Sequence, residues 1–159
     1  MRMLNKYTIS ILLAEDKEYM CNLIEKYVLS NPTRVIQGVE VDYRLDIKNT
    51  ADESILKYVS LEHDIVIMDL LFDEGSLNGI QATEEILEFN PEISVIGIAS
   101  EGEAHVEQFK KCGIRFFLEK PFQDSYLWSR MDIISNEIII RELNKPEPEK
   151  KGFFSFLKR

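Results

Sequence analysis

Short apolar runs that stop at charged residues constrain this chain most. Thr8 to Ala14 run mostly apolar and end at Glu15-Asp16, and Ile65 to Met68 end at Asp69. Neither approaches the ~20 residues a membrane span needs. Both have the length of buried strands. Two more such runs follow, Ser94 to Ala99 and Arg115 to Leu118. Between them the apolar period changes to that of a helix. In residues 17 to 29, Met20, Leu23, Ile24, Tyr27 and Val28 fall at i, i+3, i+4, i+7 and i+8. Asn31-Pro32 breaks this helix. Val39, Val41, Tyr43, Leu45 and Ile47 alternate as a half-buried edge strand does. Ala51 to Val59, Ile80 to Phe89 and Glu103 to Cys112 read as further helices. Residues 75 to 79 read as loop, Asn90-Pro91 stops the third helix, and Gly113 closes the fourth. Pro121 ends the last strand, and Gln123 to Leu143 form a long final helix.

Five strand–helix units in alternation predict an α/β fold with a five-stranded parallel sheet covered on both faces. Right-handed crossovers leave a doubly wound open sheet as the favoured topology. Such sheets bind ligands beyond the carboxyl ends of their strands. Those positions hold Glu15 and Asp16 after the first strand, Asp69 at the end of the third, Ala99, Ser100 and Glu101 after the fourth, and Lys120 after the fifth. Taken singly, each has a plain structural role. Asp16 can cap a helix, Asp69 can form a turn, and Lys-Pro is a common turn. Together they put three carboxylates and one ammonium on one rim. Carboxylates so clustered raise one another's pKa unless a cation sits among them. Hard oxygen ligands in this number suit Mg²⁺. A carboxylate oxygen left free can attack a phosphoryl group, while the ion and a lysine neutralise its oxygens.

With these positions in view, the chain resembles the receiver domain of two-component response regulators. The matching stretches are ILLAEDKEYM, DIVIMDL, LNGIQATEEI, ISVIGIAS and GIRFFLEKPF, in the family's order, over about residues 7 to 140. The resemblance implies a flavodoxin-like sheet with strand order 2-1-3-4-5. It implies that Asp69 accepts phosphate from a histidine kinase or phosphotransfer protein. Mg²⁺ would be held by Glu15, Asp16, Asp69 and the backbone carbonyl of Leu71. Lys120 would pair with the phosphoryl group, and the Lys120-Pro121 bond would be cis. Output would pass by contact with a downstream protein. Departures fall in the switch region. Ala99 aligns with the family's Thr or Ser, Ser100 follows one residue later, and Phe117 aligns with the switch aromatic but has no hydroxyl. The loop from Asp69 to Gly79 is about two residues longer than usual and lacks the family's proline. An alternative therefore stays open, a receiver-like protein-binding module that does not switch on phosphorylation. A phosphatase of the haloacid-dehalogenase type would need a second Asp where Leu71 stands.

Charge narrows the partners. With 28 Asp+Glu against 19 Lys+Arg the net charge is −9, which argues against direct binding of duplex DNA. Cys21 and Cys112 make no metal or disulfide pattern. With no signal peptide at the N-terminus, a cytoplasmic location is expected. His63 and His105 read as isolated and exposed. Trp128, Met131 and Ile134 have core spacing, whereas Ile138 to Ile140 widen the apolar surface of the last helix and suggest a homodimer or partner contact. The receiver domain is expected over 1–143, with a linker at 144–149. The segment 150–159, KKGFFSFLKR, carries four positive charges and no acid, so the other 149 residues carry −13. It reads either as a disordered terminus or as a docking motif for a membrane surface or a partner. No DNA-binding domain is expected after the linker.

Overall fold

The computed structural model describes residues 2–30, 33–73 and 78–147. The break at Asn31-Pro32, loop residues 74–77 and the segment 150–159 lie outside the described residues. The described residues form six strands and five helices, in the order β1 (Lys6–Ala14), α1 (Glu18–Leu29), β2 (Arg34–Ile36), β3 (Val39–Lys48), α2 (Ala51–Leu61), β4 (Ile65–Asp69), α3 (Gly79–Phe89), β5 (Ser94–Ser100), α4 (Val106–Lys111), β6 (Phe116–Lys120) and α5 (Asp124–Asn144). They form one sheet in the order β2-β3-β1-β4-β5-β6. The five parallel strands keep the expected 2-1-3-4-5 order, with β1 flanked by β3 and β4.

The expected five strands are corrected to six. β2 is a three-residue strand that pairs antiparallel with the start of β3, Arg34 opposite Val41 and Ile36 opposite Val39. Gln37 and Gly38 join the two with φ of 53° and 79°, the positive pair of a tight hairpin turn. So short a strand, closed by Gln-Gly, leaves little periodic signal. The hairpin leans on α5. The Arg34 guanidinium lies 4.0 Å from the Trp128 ring centroid and Arg34 Nε is 3.1 Å from Asp132, while Gln37 Nε2 donates to Asn136.

Alternation along the strands sends successive side chains to opposite faces. Ile11, Leu13, Ile65, Ile67, Ile96 and Ile98 pack against α1 and α5. Leu12, Ala14, Val66, Met68, Val95 and Ala99 pack under α2, α3 and α4. The helix starts follow local chemistry. Thr50 caps α2 by accepting from the Glu53 N–H, and Asn78 with Gln81 forms a reciprocal capping box on α3. The fourth helix is shorter than expected, because residues 103 to 105 belong to the loop after β5.

Trp128, Met131 and Ile134 are buried, as their spacing requires. Ile138 and Ile139 are buried as well, so the broad apolar surface expected at the end of α5 narrows. What remains exposed is Tyr126, Ile133 and Ile140, spaced seven residues apart. His105 is exposed as expected, but His63 is not. It is 3% exposed, and its Nε2 lies 2.8 Å from Asp46 Oδ2, a strand residue no sequence pattern joins to it. Among the described residues no helix is long and apolar enough to cross a membrane.

Candidate functional site

β1 and β4 run side by side, with Ala14 opposite Met68. Their next residues, Glu15 and Asp69, therefore emerge together at the carboxyl edge. β6 lies two strands further over, and Lys120 closes its end in register with Ser100 of β5. A long side chain bridges the gap. Lys120 Nζ donates to Glu15 Oε2 at 2.8 Å and to Asp69 Oδ1 at 2.9 Å. All three groups are withdrawn from water: Glu15 is 0% exposed, Asp69 3%, and the Lys120 side chain 9%. The Lys120-Pro121 peptide is cis.

Glu15 is held from several sides. Its Oε1 accepts from the Lys17 N–H at 2.9 Å, and its backbone carbonyl accepts from Asn49 Nδ2 and the Cys21 thiol. Asp16 completes the group. One carboxylate oxygen from each of Glu15, Asp16 and Asp69 lies within 4.8 Å of the others. Asp16 Oδ2 accepts from the Asp73 N–H at 2.7 Å, while Oδ1 is buried without a hydrogen-bond partner. A buried carboxylate oxygen left without a donor is costly unless a cation completes it. Three hard oxygen donors beside one such orphan fit a hydrated Mg²⁺.

Electrostatics follow from this crowding. Burial pushes the Asp69 carboxyl up to about 7, and the like charge of Glu15 adds to the rise against the pull of Lys120. Burial alone would lower the Lys120 ammonium, but its bonds to Glu15 and Asp69 outweigh that and hold it above its ordinary range. One lysine thus serves two buried carboxylates, and the group stays short of positive charge.

The backbone needs a glycine beside Asp69. Gly79 opens α3 and its N–H donates to the Leu70 carbonyl at 2.9 Å. A Cβ there would stand 1.9 Å from the Asp69 carbonyl oxygen, so no larger residue fits without moving Asp69.

Of the side chains read from the sequence as site residues, Glu15, Asp16, Asp69 and Lys120 meet at this rim. Leu71 stands two residues beyond Asp69 with its side chain 43% exposed. Ala99 is fully buried, on the face of the sheet that packs under α2, α3 and α4. Phe117 packs against the same cluster, edge-on to Phe109 at 6.5 Å and under Lys110. Ser100 pairs with Lys120 in register and is half-buried. Three residues the sequence did not single out also belong here. Lys17 makes a short ion pair with Asp73, and the Asp73 N–H holds Asp16. The charge of Glu103 is felt at Asp69, whereas Glu101, picked from its place after the strand, is exposed. No local pattern marks them, because each acts across a loop.

Comparisons with known proteins agree with this fold. Residues 11–132 match the family model of the response regulator receiver domain. The chain is 29% identical over 126 residues to the chemotaxis protein CheY of Thermotoga maritima, covering 79% of this chain and 96% of that protein. It is 32% identical over 127 residues to CheY of Halobacterium salinarum, covering 79% and 93%. Among solved structures, a signal receiver domain from Vibrio parahaemolyticus superposes with a TM-score of 0.72 at 20% identity, over 89% of this chain and all of that one. The receiver domain of a sensor histidine kinase from Pseudomonas aeruginosa, solved with a magnesium ion coordinated in its active-site cleft, superposes at 0.67 and 21% identity, covering 81% and 99%. On fold, rim and sequence alike, the chain belongs to the response regulator receiver domain family.

Proposed function

We propose that this protein is a response regulator receiver of the cytoplasm, with Asp69 as its phosphoacceptor. A histidine kinase or phosphotransfer protein supplies the phosphoryl group. An Asp69 carboxylate oxygen attacks phosphorus. The P–N bond of the phosphohistidine breaks with its electron pair left on the imidazole, and a P–O bond forms to give an acyl phosphate. Lys120 transfers its hydrogen bonding from the bare carboxylates to the incoming phosphoryl oxygens. Glu15, Asp16 and Asp69, with the Leu71 carbonyl, would hold Mg²⁺. The ion supplies positive charge against the phosphoryl oxygens. The protein catalyses only its own phosphorylation and dephosphorylation. The observation that carries this reading is the single buried Lys120 ammonium shared by Glu15 and Asp69, beside the orphaned Asp16 oxygen.

The signal leaves by protein contact, and the exposed α5 stripe of Tyr126, Ile133 and Ile140 is the apolar surface offered to a downstream partner or a second copy. On its sequence alone, segment 150–159 is read as a weak contact with an anionic membrane surface, which liposome co-sedimentation with and without those residues checks. The phosphorylation claim is tested by incubation with acetyl phosphate and Mg²⁺ followed by intact mass. Wild type gains one phosphoryl group and Asp69→Asn gains none; an unmodified wild type overturns the reading.

A second reading has its own observation. Buried Ala99 has no hydroxyl to follow a phosphoryl group, and Phe117 is packed inward on Phe109. Under that reading the protein binds partners without switching. Beryllofluoride with Mg²⁺ separates the two: amide shifts spreading to α4 and β6 support a switch, and shifts confined to the rim support the module.

A further inference from the structure

The acidic rim is braced by a chain of contacts that crosses from one loop to another. Lys17, in the loop after β1, gives its backbone N–H to Glu15 Oε1. Its ammonium pairs with the Asp73 carboxylate, in the loop after β4, and lies 3.8 Å from Asp16 Oδ2. Asp73 returns its own backbone N–H to Asp16 Oδ2 at 2.7 Å. Asp16 therefore has one oxygen tied to the opposite loop and the other, Oδ1, buried and unpartnered. The Asp16 side chain is only 10% exposed, whereas that of Asp73 is 72% exposed. What Asp73 offers the site is thus its main-chain N–H, not its charge. This is the loop that lacks the family's proline, and a proline has no N–H to give.

We propose that Asp73 is a positioning residue of the metal site. Its N–H holds Oδ2 of Asp16, so that Oδ1 stays free for the cation. Lys17 keeps the donor in place from across the cleft. The inference rests on the Mg²⁺ site proposed above. A hydrogen bond to a charged carboxylate is stronger than a neutral one and fixes the group's orientation. Outer partners that orient metal ligands commonly govern affinity by about 10- to 100-fold.

Two variants isolate the N–H. Asp73→Asn and Asp73→Pro both lose the carboxylate charge that pairs with Lys17, but only the proline loses the backbone donor. Mg²⁺ is titrated into each full-length protein and followed by amide shifts of the rim. The expected result is that Asp73→Pro binds Mg²⁺ about tenfold more weakly than Asp73→Asn. Equal affinities, or tighter binding by the proline variant, would overturn the proposal, the latter because the N–H would then be competing with the ion. A measurement on metal-free protein guards against a misfolded proline variant. The Asp73 amide should exchange slowly with solvent in wild type and faster in Asp16→Ala, and an unprotected wild-type amide overturns the proposal. If wild type binds no Mg²⁺ at all, the metal site itself falls, and this role for Asp73 falls with it. If wild type binds and the two variants match, only the positioning role falls.

Discussion

The two ends of one sheet handle buried acids differently. At the amino end, Asp64 stands just before β4. Its Oδ2 accepts the Ser10 N–H at 2.8 Å, its Oδ1 accepts the Tyr7 hydroxyl at 3.2 Å, and its own N–H returns to the Ser10 carbonyl. Both oxygens are satisfied by neighbours on the adjoining strand. At the carboxyl end of the same β4, Asp69 depends on Lys120, 51 residues away, which it shares with Glu15. Burial raises both carboxyls and a like charge adds to each, Glu142 at Asp64 and Glu15 at Asp69, but at Asp64 the Ser10 N–H and the Tyr7 hydroxyl oppose the rise. One end is completed by the fold. The other is left short of positive charge, as the proposed cation and phosphoryl site requires. A cleft of about 650 Å³ at the amino end, lined by Tyr7, His63 and Glu142 among others, is thus no rival to the rim, since no carboxylate cluster of metal-binding geometry occurs there among the described residues.

The contrast breaks most sharply at Lys120. Lys120→Met should strand two buried carboxylates and cost about 3–5 kcal/mol of stability. Urea denaturation with and without Mg²⁺ measures this, and the ion should recover part of the loss. A cost within the error of wild type would show that the carboxylates do not depend on the lysine. The next effect is steric. Gly79→Ala places a methyl against the Asp69 carbonyl and should cost about 1–3 kcal/mol, with weaker Mg²⁺ binding. Wild-type stability and affinity together would mean that the close approach does not constrain the acceptor.

Removing the crowded charge should act in the opposite direction. A carboxyl raised in the folded state binds its proton there before it does in the unfolded chain. It therefore opposes stability as pH climbs from about 4 to 7. Asp69→Asn should be more stable than wild type at pH 7 in the absence of Mg²⁺, by about 1–2 kcal/mol, and flatter across that window. Thermal melts at stepped pH test this, and a less stable Asp69→Asn would refute it. The smallest effect belongs to the amino end. Burial holds the His63 imidazole below its ordinary value against the pull of Asp46. The unfolded chain then takes up the proton first, so stability is present above pH 6.5 and is lost as pH falls below it. A single group changes stability by less than about 1.4 kcal/mol per pH unit. His63→Gln should reduce the acid-side loss below pH 6.5, and an unchanged slope would show that His63 is not its source. Asp69 and His63 should thus contribute pH slopes of opposite sign in one molecule.

The parallel sheet and its rim were legible because they depend on local chemistry repeated along the chain. Apolar runs of strand length, helical spacing between them and charged residues at the strand ends placed Glu15, Asp16, Asp69 and Lys120 together before any coordinates. A doubly wound sheet has only one edge where its strands all finish. The family resemblance supplied the strand order, the role expected of Asp69 and the cis bond, which periodicity does not encode. Packing decided the rest. β2 is three residues long and rests on Arg34 against Trp128 and Asp132, a contact about a hundred residues distant in the chain. His63, in the loop before β4, looked exposed because its partner, Asp46, sits on β3. Ile138 and Ile139 looked surplus because the depth of the α5 interface depends on how closely the helix settles on the sheet. Lys17, Asp73 and Glu103 belong to the rim only through loops folded across it. Alternation and helix spacing report which face a residue occupies, but the neighbour it meets there is set by the tertiary arrangement of segments far apart in sequence.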